Sequence, residues 1–296
     1  MDTMSDQSPY QKRFGGLTED CKYRANDFIQ QVLGRSTIRG FSKRPLAEGQ
    51  LELLIAAAQS APTSGMLQTW SVIALTDAES KARLIDTTYA PDAETTMGSV
   101  DSGNIYALKG CAVFLIWLAD LHRIDNILQA HAVERNIDPD LLLQTSRAEF
   151  HLKAIIDATI AAQTFSLAAE SQGLGVMYCG AVRQLPAEHF IKNFNLPPLT
   201  FPIFGMAVGN PNAGNPLAKV RPRPRLPTDV VLHHGSYKHF DNMDDISGYN
   251  EIHKNFNGSP ALYKKDYVDR LVERMAAAHD KKQVAHYLRQ MGFDFK

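Results

Sequence analysis

The chain has 296 residues, of which 44% are hydrophobic and 21% charged, a composition that excludes a disordered, collagen-like or coiled-coil chain. Its 31 basic and 32 acidic side chains leave a formal net charge of −1, which disfavours an extended nucleic-acid-binding face. The three cysteines share no short spacing, so we expect neither a disulfide framework nor a zinc knuckle, and a reducing cytoplasm suits them. The N-terminal stretch lacks the apolar segment of a signal peptide, and the longest apolar run, 111–119, is too short to span a membrane.

The spacing of apolar residues predicts helices around a small sheet. The first 21 residues are polar, and we expect them to be disordered or frayed. Residues 111–120 form a continuous apolar run that is typical of a buried central strand, and residues 149–172 are apolar on most sides, which is typical of a buried helix. In chain order, the predicted elements are a helix over 22–33, a helix over 47–60, a strand over 70–75, a helix over 78–86, a long loop over 87–104, the strand over 111–120, helices over 121–136 and 139–147, the helix over 149–172, a strand over 173–183, a helix over 187–195 and a strand over 201–208.

After residue 209 the chain becomes proline-rich and basic, which predicts an extended connector. Residues 261–290 are expected to form at least one more helix away from the core, and an arm of this kind more often docks on a partner subunit than floats. We therefore expect one main domain over 22–240, with a helical excursion over about 121–147, and a C-terminal dimerisation arm over 241–296. Helices around a small sheet place the fold in the α+β class.

The sequence carries no strong motif for a metal or a nucleophile. The ten histidines are scattered, without HExxH or a Cys/His cluster, which favours ordinary surface or core histidines. There is no GxSxG elbow and no Walker loop, and Gly173, Gly175 and Gly180 have the wrong spacing for a dinucleotide-binding turn. Cys179 lies in an apolar strand, which favours an inert buried thiol. We expect no metal and assign no catalytic side chain.

Two arginine-rich stretches could bind a phosphate. The first contains Arg35, Ser36, Thr37 and Arg39, and the second contains Arg221, Arg223 and Arg225, which alternate with prolines. Alternation in an extended chain turns the second set to one side, and a dianionic phosphate needs several guanidinium groups and hydroxyl donors. The alternative is that both stretches are solvated loops that pair with surface acids, and spacing alone favours this alternative. The turn over 62–70, PTSGMLQTW, offers hydroxyl groups and an amide, which is a weak signal because ordinary turns use the same residues.

Five segments, taken together and in this order, resemble the FMN-dependent nitroreductase superfamily. They are GRSTIRGF (34–41), RPLAEGQLELLIAAAQSAPTSGMLQTWSVIALTD (44–77), ESQGLGVMYCGAVRQLP (170–186), LPPLTFPIFGMAVGNPN (196–212) and RPRPRLP (221–227). With HHGSY at 233–237 and the long C-terminal arm, the chain is most similar to the larger oxygen-insensitive NADPH nitroreductases and the NADPH–flavin oxidoreductases. The resemblance covers residues 28–240 well and the remainder loosely.

The resemblance implies a nitroreductase-like three-layer sandwich, in which helices flank a mainly antiparallel central sheet and a C-terminal arm is exchanged across a homodimer. It places FMN at the subunit interface and implies a role for each matched residue. The FMN phosphate and ring edge would be held by Arg35, Ser36, Thr37 and Arg39, and the phosphate would be clamped by Arg223 and Arg225. The partner subunit would contribute Thr63, Ser64 and Gly65. Backbone N–H groups near the flavin N5 would come from Cys179, Gly180 and Ala181, and the pyrimidine edge would be met by Asn104.

The implied function is an NAD(P)H oxidoreductase that works by ping-pong hydride transfer through the flavin N5. Its acceptors would be nitroaromatics, quinones or free flavin, with neither nucleic acid nor membrane as a partner. Two departures from the family pattern are notable. A glycine pair reads Gly180-Ala181, which brings a methyl group towards the ring, and the loop that would meet the NADPH 2′-phosphate carries only Lys254, Lys264 and Lys265, which leaves the choice between NADPH and NADH open.

Two other functions are compatible with the same residues. One is a non-enzymatic flavin-binding or redox-sensing protein, which would use the same arginines without a site for an electron donor. The other is a different flavin reaction on the same scaffold, such as flavin fragmentation or reductive dehalogenation. Consumption of NAD(P)H with a quinone acceptor separates the first of these from a reductase.

Overall fold

The fold comes from a computed structural model, which describes residues 8–15, 24–97, 103–218, 221–241, 243–256, 265–278 and 283–293. The chain divides into two compact units. The first unit comprises Met1–Thr37 and Lys219–Asp280, and the second comprises Ile38–Ala218 and Lys281–Lys296. In this grouping, the first and last residues of the main domain expected over 22–240 belong to the same unit as most of the C-terminal segment, and the domain division stays a prediction.

The second unit is built on a four-stranded antiparallel sheet. Its strands are β1 (Trp70–Leu75), β2 (Val113–Asp120), β3 (Gly175–Cys179) and β4 (Thr200–Gly209), in the spatial order β1-β2-β4-β3. Every residue of β2 is buried, as a central strand with apolar side chains on both faces requires. The α+β class and the antiparallel sheet are confirmed. The strand expected over 173–183 is shorter, because the chain turns into a 3₁₀-helix after Cys179.

One long helix, Ala148–Ser171, packs against this sheet and confirms the buried helix predicted over 149–172. Its buried face carries small residues, mostly alanines, that allow close approach to β2, and Phe165 meets Trp117 edge to face with 5.7 Å between ring centroids. By length and composition the helix could cross a membrane, and the buried core helix of a folded unit meets the same criterion. Its packing against β2 assigns it to the core of the second unit.

The remaining helices of the second unit follow the predicted order with shifted ends. The α-helices are Gln50–Gln59, Ala78–Arg83, Ala93–Met97, Asn104–Gly110, His122–His131, Pro139–Leu142, Ala187–Phe194 and Gln283–Gln290, and the 3₁₀-helices are Ser64–Met66, Leu143–Ser146, Gly180–Gln184 and Pro216–Ala218. The Asp77 side chain caps the helix Ala78–Arg83 by accepting from the Ser80 N–H. The long loop expected over 87–104 is interrupted by Ala93–Met97, and residues 98–102 lie outside the described residues.

The first unit contains the helices Pro9–Phe14, Asp27–Gly34, Thr228–Val231, Ser247–Lys254 and Tyr267–Ala278, with a 3₁₀-helix at Met243–Ile246. The expected fraying of residues 1–21 is wrong at Pro9–Phe14. Here Ser8 and Gln11 form a capping box, Pro9 stands in the first turn, and Gly15 ends the helix in a left-handed conformation. Residues 1–7 and 16–23 lie outside the described residues.

The last helix, Gln283–Gln290, belongs to the core of the second unit. The Tyr287 ring is 2% exposed, and its centroid lies 5.3 Å from that of Phe201 and 6.2 Å from that of Phe190. The Leu199 N–H also donates to the Met291 carbonyl at 2.8 Å. The expectation that 261–290 lies away from the core is wrong for this helix, because its aromatic side chain completes an apolar cluster. A dimerisation role for 241–296 stays a prediction.

Candidate functional site

In the first unit, a buried arginine brings the two arginine-rich stretches together. Arg13 is 7% exposed, and its guanidinium donates to the carbonyls of Leu33 and Arg35, each at 2.7 Å, and of Arg223 at 2.8 Å. In return, the Arg13 carbonyl accepts the Arg225 N–H at 3.0 Å. Burial and the charges of Arg225 and Arg35 lower the pKa of Arg13 to about 10. The arginines of both stretches therefore lie close enough to repel one another.

A cavity of about 170 Å³ adjoins these arginines. It is lined by Arg223, Pro224, Arg225, Tyr249, His253 and Phe256. Burial lowers the pKa of Arg225, and the neighbouring charges of Arg223 and Arg35 lower it further. Positive charge is concentrated here in half-buried surroundings, where an anion is attracted more strongly than in open water.

In the second unit, Arg39 lies near Gly103 and near the predicted site residue Cys179. The Ile38 N–H donates to the Val176 carbonyl at 3.2 Å, which fixes this segment against β3. Gly103 has φ +66°, and a Cβ placed on it would lie 2.9 Å from the Arg39 Cδ, so a side chain at 103 would be strained and would also displace Arg39. Asn104 follows as the first residue of the helix Asn104–Gly110.

The thiol of Cys179 lies close enough to Arg39 to be influenced by its charge. Burial raises its pKa to about 11, against the opposing effects of the Ala181 and Val182 N–H groups and the charges of Arg39 and Arg183. The thiol therefore remains protonated at neutral pH, which agrees with the inert thiol favoured by the sequence. The Ala181 N–H is directed at this thiol. The role of the backbone N–H groups of 179–181 as donors to the flavin stays a prediction. The extra methyl of Ala181 packs against the hydrophobic core.

The Thr63–Thr69 loop, which joins the helix Gln50–Gln59 to β1, is held by one buried carboxylate. Asp157 is 1% exposed, and it accepts hydrogen bonds from the Thr63 hydroxyl, from the Ser64 N–H at 2.9 Å and from the Thr69 hydroxyl at 2.9 Å. The loop needs this support because positive φ angles recur along it, at Gly65, Met66 and Gln68. Ser64 and Gly65 are exposed, so the loop offers them to a ligand or to another subunit.

The first unit brings together three of the predicted site residues, Arg35, Arg223 and Arg225. The next two residues after Arg35, Ser36 and Thr37, are half-buried. Arg39 lies near Gly103 and Cys179 in the second unit. Of the three lysines in the expected donor loop, Lys254 is exposed, Lys265 pairs with Glu273, and Lys264 lies outside the described residues.

Three charged residues of this region could not be assigned to the site from the sequence. Arg13 belongs to a stretch that was expected to be frayed, and Asp157 is a single acid inside an apolar helix, which was a detectable signal. Arg183 lies near the end of the matched segment 170–186, and its guanidinium, which lies beside Gly180, donates to the Ile203 carbonyl. Among the described residues, no group of three or more His, Cys, Asp or Glu side chains could hold a metal ion.

Comparison with known protein families gives two matches in tandem. The model of the nitroreductase family matches residues 32–210, and that of the C-terminal domain of the nitroreductase family matches residues 223–296. The helix Pro9–Phe14 precedes both matches.

Individual relatives agree with the family match. An FMN reductase (NADPH) of Bacillus subtilis is 32% identical over 221 residues, covering 75% of this chain and 78% of the relative. An NADPH-flavin oxidoreductase of Vibrio harveyi is 32% identical over 240 residues, covering 81% and 86%. Among solved structures, the NADPH:FMN oxidoreductase from Vibrio harveyi complexed with NAD⁺ superposes with a TM-score of 0.70 at 28% identity, covering 90% of this chain and 99% of that one.

Proposed function

Because the chain belongs to the nitroreductase family, we propose that it is an FMN-dependent NAD(P)H oxidoreductase that works by a ping-pong reaction. Nitroaromatics, quinones or free flavin are the proposed acceptors. The observation that carries the proposal is the convergence of Arg35, Arg223 and Arg225 on one part of the first unit. Relatives named for FMN and NADPH support the same cofactors.

The donor set of the first unit fits the phosphate of FMN. The charges of Arg35 and Arg223 reach Arg225, whose pKa they lower in addition to burial, and a dianion placed among the three would offset their mutual repulsion. Ser36 and Thr37 would add hydroxyl donors. Arginine suits this task better than lysine, because its planar fork can give two parallel hydrogen bonds to a phosphate.

Further residues are proposed to bind the flavin ring. Arg39 and Asn104 would meet its polar edge, the backbone of Cys179, Gly180 and Ala181 would face it, and Thr63, Ser64 and Gly65 would reach the FMN of the partner subunit. Bound FMN supplies the exchange of a hydride with NAD(P)H and with the acceptor. The cationic side chains Arg39 and Arg183 would stabilise negative charge in this region, and the protonated Cys179 thiol takes no part as a nucleophile.

Exposed apolar faces support the proposed homodimer. On the helix Asp27–Gly34, Phe28 is 54% exposed and Ile29 is 42% exposed. On Ala148–Ser171, the side chains of Leu152, Ile156 and Ile160 form an exposed row with helical spacing. Apolar surface of this kind is usually covered by another protein chain. The cytoplasm is the proposed location, since a reducing compartment suits the buried free thiols of Cys111 and Cys179.

The purified protein tests this function directly. We expect absorption bands near about 370 and 450 nm from bound flavin, and steady-state oxidation of NAD(P)H when a quinone is added. Riboflavin in place of FMN in the released cofactor would contradict the phosphate site. A flavin-loaded protein that does not oxidise NAD(P)H would contradict a reductase and favour a flavin-binding protein.

A further inference from the structure

The helix Pro9–Phe14 is a well-formed element that lies outside both family matches. Its first turn is closed by the capping box of Ser8 and Gln11, and its last turn ends at Gly15. A Cβ on Gly15 would lie 2.7 Å from the Cδ1 of Ile252, so the helix end packs closely on the helix Ser247–Lys254. The helix is therefore a fixed part of the first unit.

Arg13, in the last turn of this helix, connects the chain segments that carry the arginines of the proposed phosphate site. Two of its guanidinium nitrogens bind the carbonyls of Leu33 and Arg35, and the third binds the carbonyl of Arg223. The Arg225 N–H binds back to the Arg13 carbonyl. One side chain thus fixes two segments that are about 190 residues apart in the sequence. It holds them at the backbone of Arg35, Arg223 and Arg225.

Only an arginine can make this arrangement. Its fork spreads donors in a plane and reaches three carbonyls at once, whereas a lysine offers its donors from a single point. The pKa of Arg13, lowered to about 10, still leaves the side chain charged at neutral pH. Its guanidinium donates to three backbone carbonyls, so its role towards a ligand is indirect.

We propose that Arg13 is a positioning residue of the phosphate site, which holds Arg35 and the Arg223–Arg225 segment at the spacing that a phosphate requires. The proposal rests on the proposed function, because it assumes that these arginines bind FMN through its phosphate. The N-terminal helix is then part of the cofactor site of this chain, although it contributes no direct contact.

The test compares FMN with riboflavin, which lacks the phosphate, on full-length protein from which the flavin has been removed. The variants are Arg13→Lys, which keeps the charge and loses the fork, Arg13→Met, and the matched control Lys12→Met, which removes a neighbouring charge from the same helix. Dissociation constants are measured by flavin fluorescence, and thermal unfolding without flavin reports the fold. The double variant Arg223→Ala/Arg225→Ala tests the phosphate site itself.

We expect Arg13→Lys and Arg13→Met to weaken FMN binding about tenfold or more and riboflavin binding about twofold or less, since partly lost phosphate contacts are worth about one decade. Lys12→Met should leave both unchanged. Equal loss of FMN and riboflavin binding in both Arg13 variants would overturn the proposal, because it would show a merely structural role. An unchanged FMN constant in Arg13→Lys would overturn it too. If the double variant keeps its preference for FMN over riboflavin, the phosphate site itself is wrong.

Discussion

In each unit, one buried charged residue holds a candidate ligand-binding segment, and these two residues have opposite charges. In the first unit, the buried cation Arg13 binds carbonyls, and its pKa is lowered by burial and by the nearby charges of Arg225 and Arg35. In the second unit, the buried anion Asp157 accepts hydrogen bonds from neutral donors of the Thr63–Thr69 loop. The loop is thus stabilised by groups of the chain itself, whereas the arginines concentrate like charge that an added anion would balance. The first unit should therefore depend on its ligand more than the second.

The largest expected effect concerns the arginines. Replacing Arg223 and Arg225 together by Ala should weaken FMN binding on the order of a hundredfold or more, because charge-assisted phosphate contacts contribute roughly 1.5–3 kcal/mol each. The fold should survive, since these residues lie in a connector without regular structure. Flavin retained after dialysis, measured by absorbance, checks this. A double variant that stays fully yellow would contradict the claim that the first unit depends on its ligand more than the second.

Replacing Asp157 should have a different kind of effect. It should lower the stability of the protein rather than change how the protein depends on its ligand. Asp157→Ala leaves the Thr69 hydroxyl and the Ser64 N–H without their acceptor, and we expect a loss of about 2 kcal/mol in the free energy of unfolding. Urea denaturation with and without FMN measures it. The control Glu149→Ala, on the same helix, removes an ion pair between the exposed Glu149 and the half-buried Lys153 and should cost less than about 0.5 kcal/mol. Equal losses in the two variants would contradict the role of Asp157.

The smallest expected effect concerns the electron donor. Lys254 and Lys265 are exposed, and exposed contacts of this type contribute about 0–1 kcal/mol and are screened by salt. We therefore expect NADPH to be preferred over NADH by about tenfold at low ionic strength, where 1.4 kcal/mol is one decade, and by less as salt is raised. Measurements of kcat/KM for both donors at two salt concentrations check this. A large preference that salt does not change would indicate an arginine contact, for example from Arg270 or Arg274.

Sequence patterns predicted much of the fold, since burial on both faces leaves the continuous apolar run of β2 and the nearly all-round apolar surface of the helix Ala148–Ser171. They failed at Pro9–Phe14, a short helix whose stability comes from capping and from tertiary hydrogen bonds of Arg13, neither of which has a period. They also failed at Gln283–Gln290, where burial of Tyr287 depends on the distant partners Phe190 and Phe201.

The candidate site shows the same limit. The residues proposed to touch the ligand, such as Arg35 and Arg223, lie in short segments that can be recognised by their order along the chain. The residues that hold those segments, Arg13 and Asp157, act across distances of 20 to 210 residues in sequence. Asp157 stands out as an acid inside an apolar helix, but no local pattern shows which segment either residue holds. Their charge in a buried position becomes visible only once the fold is known.

The most direct test of the central claim is an anaerobic titration of the purified protein with NADPH, followed by addition of a quinone. If the chain is an FMN-dependent reductase with a ping-pong reaction, the band near about 450 nm should bleach with about one equivalent of NADPH per flavin, since hydride transfer carries two electrons. Its return on addition of the quinone, after the oxidised donor has been removed, would show that the two half-reactions are separate. A band that NADPH leaves unchanged would contradict the account.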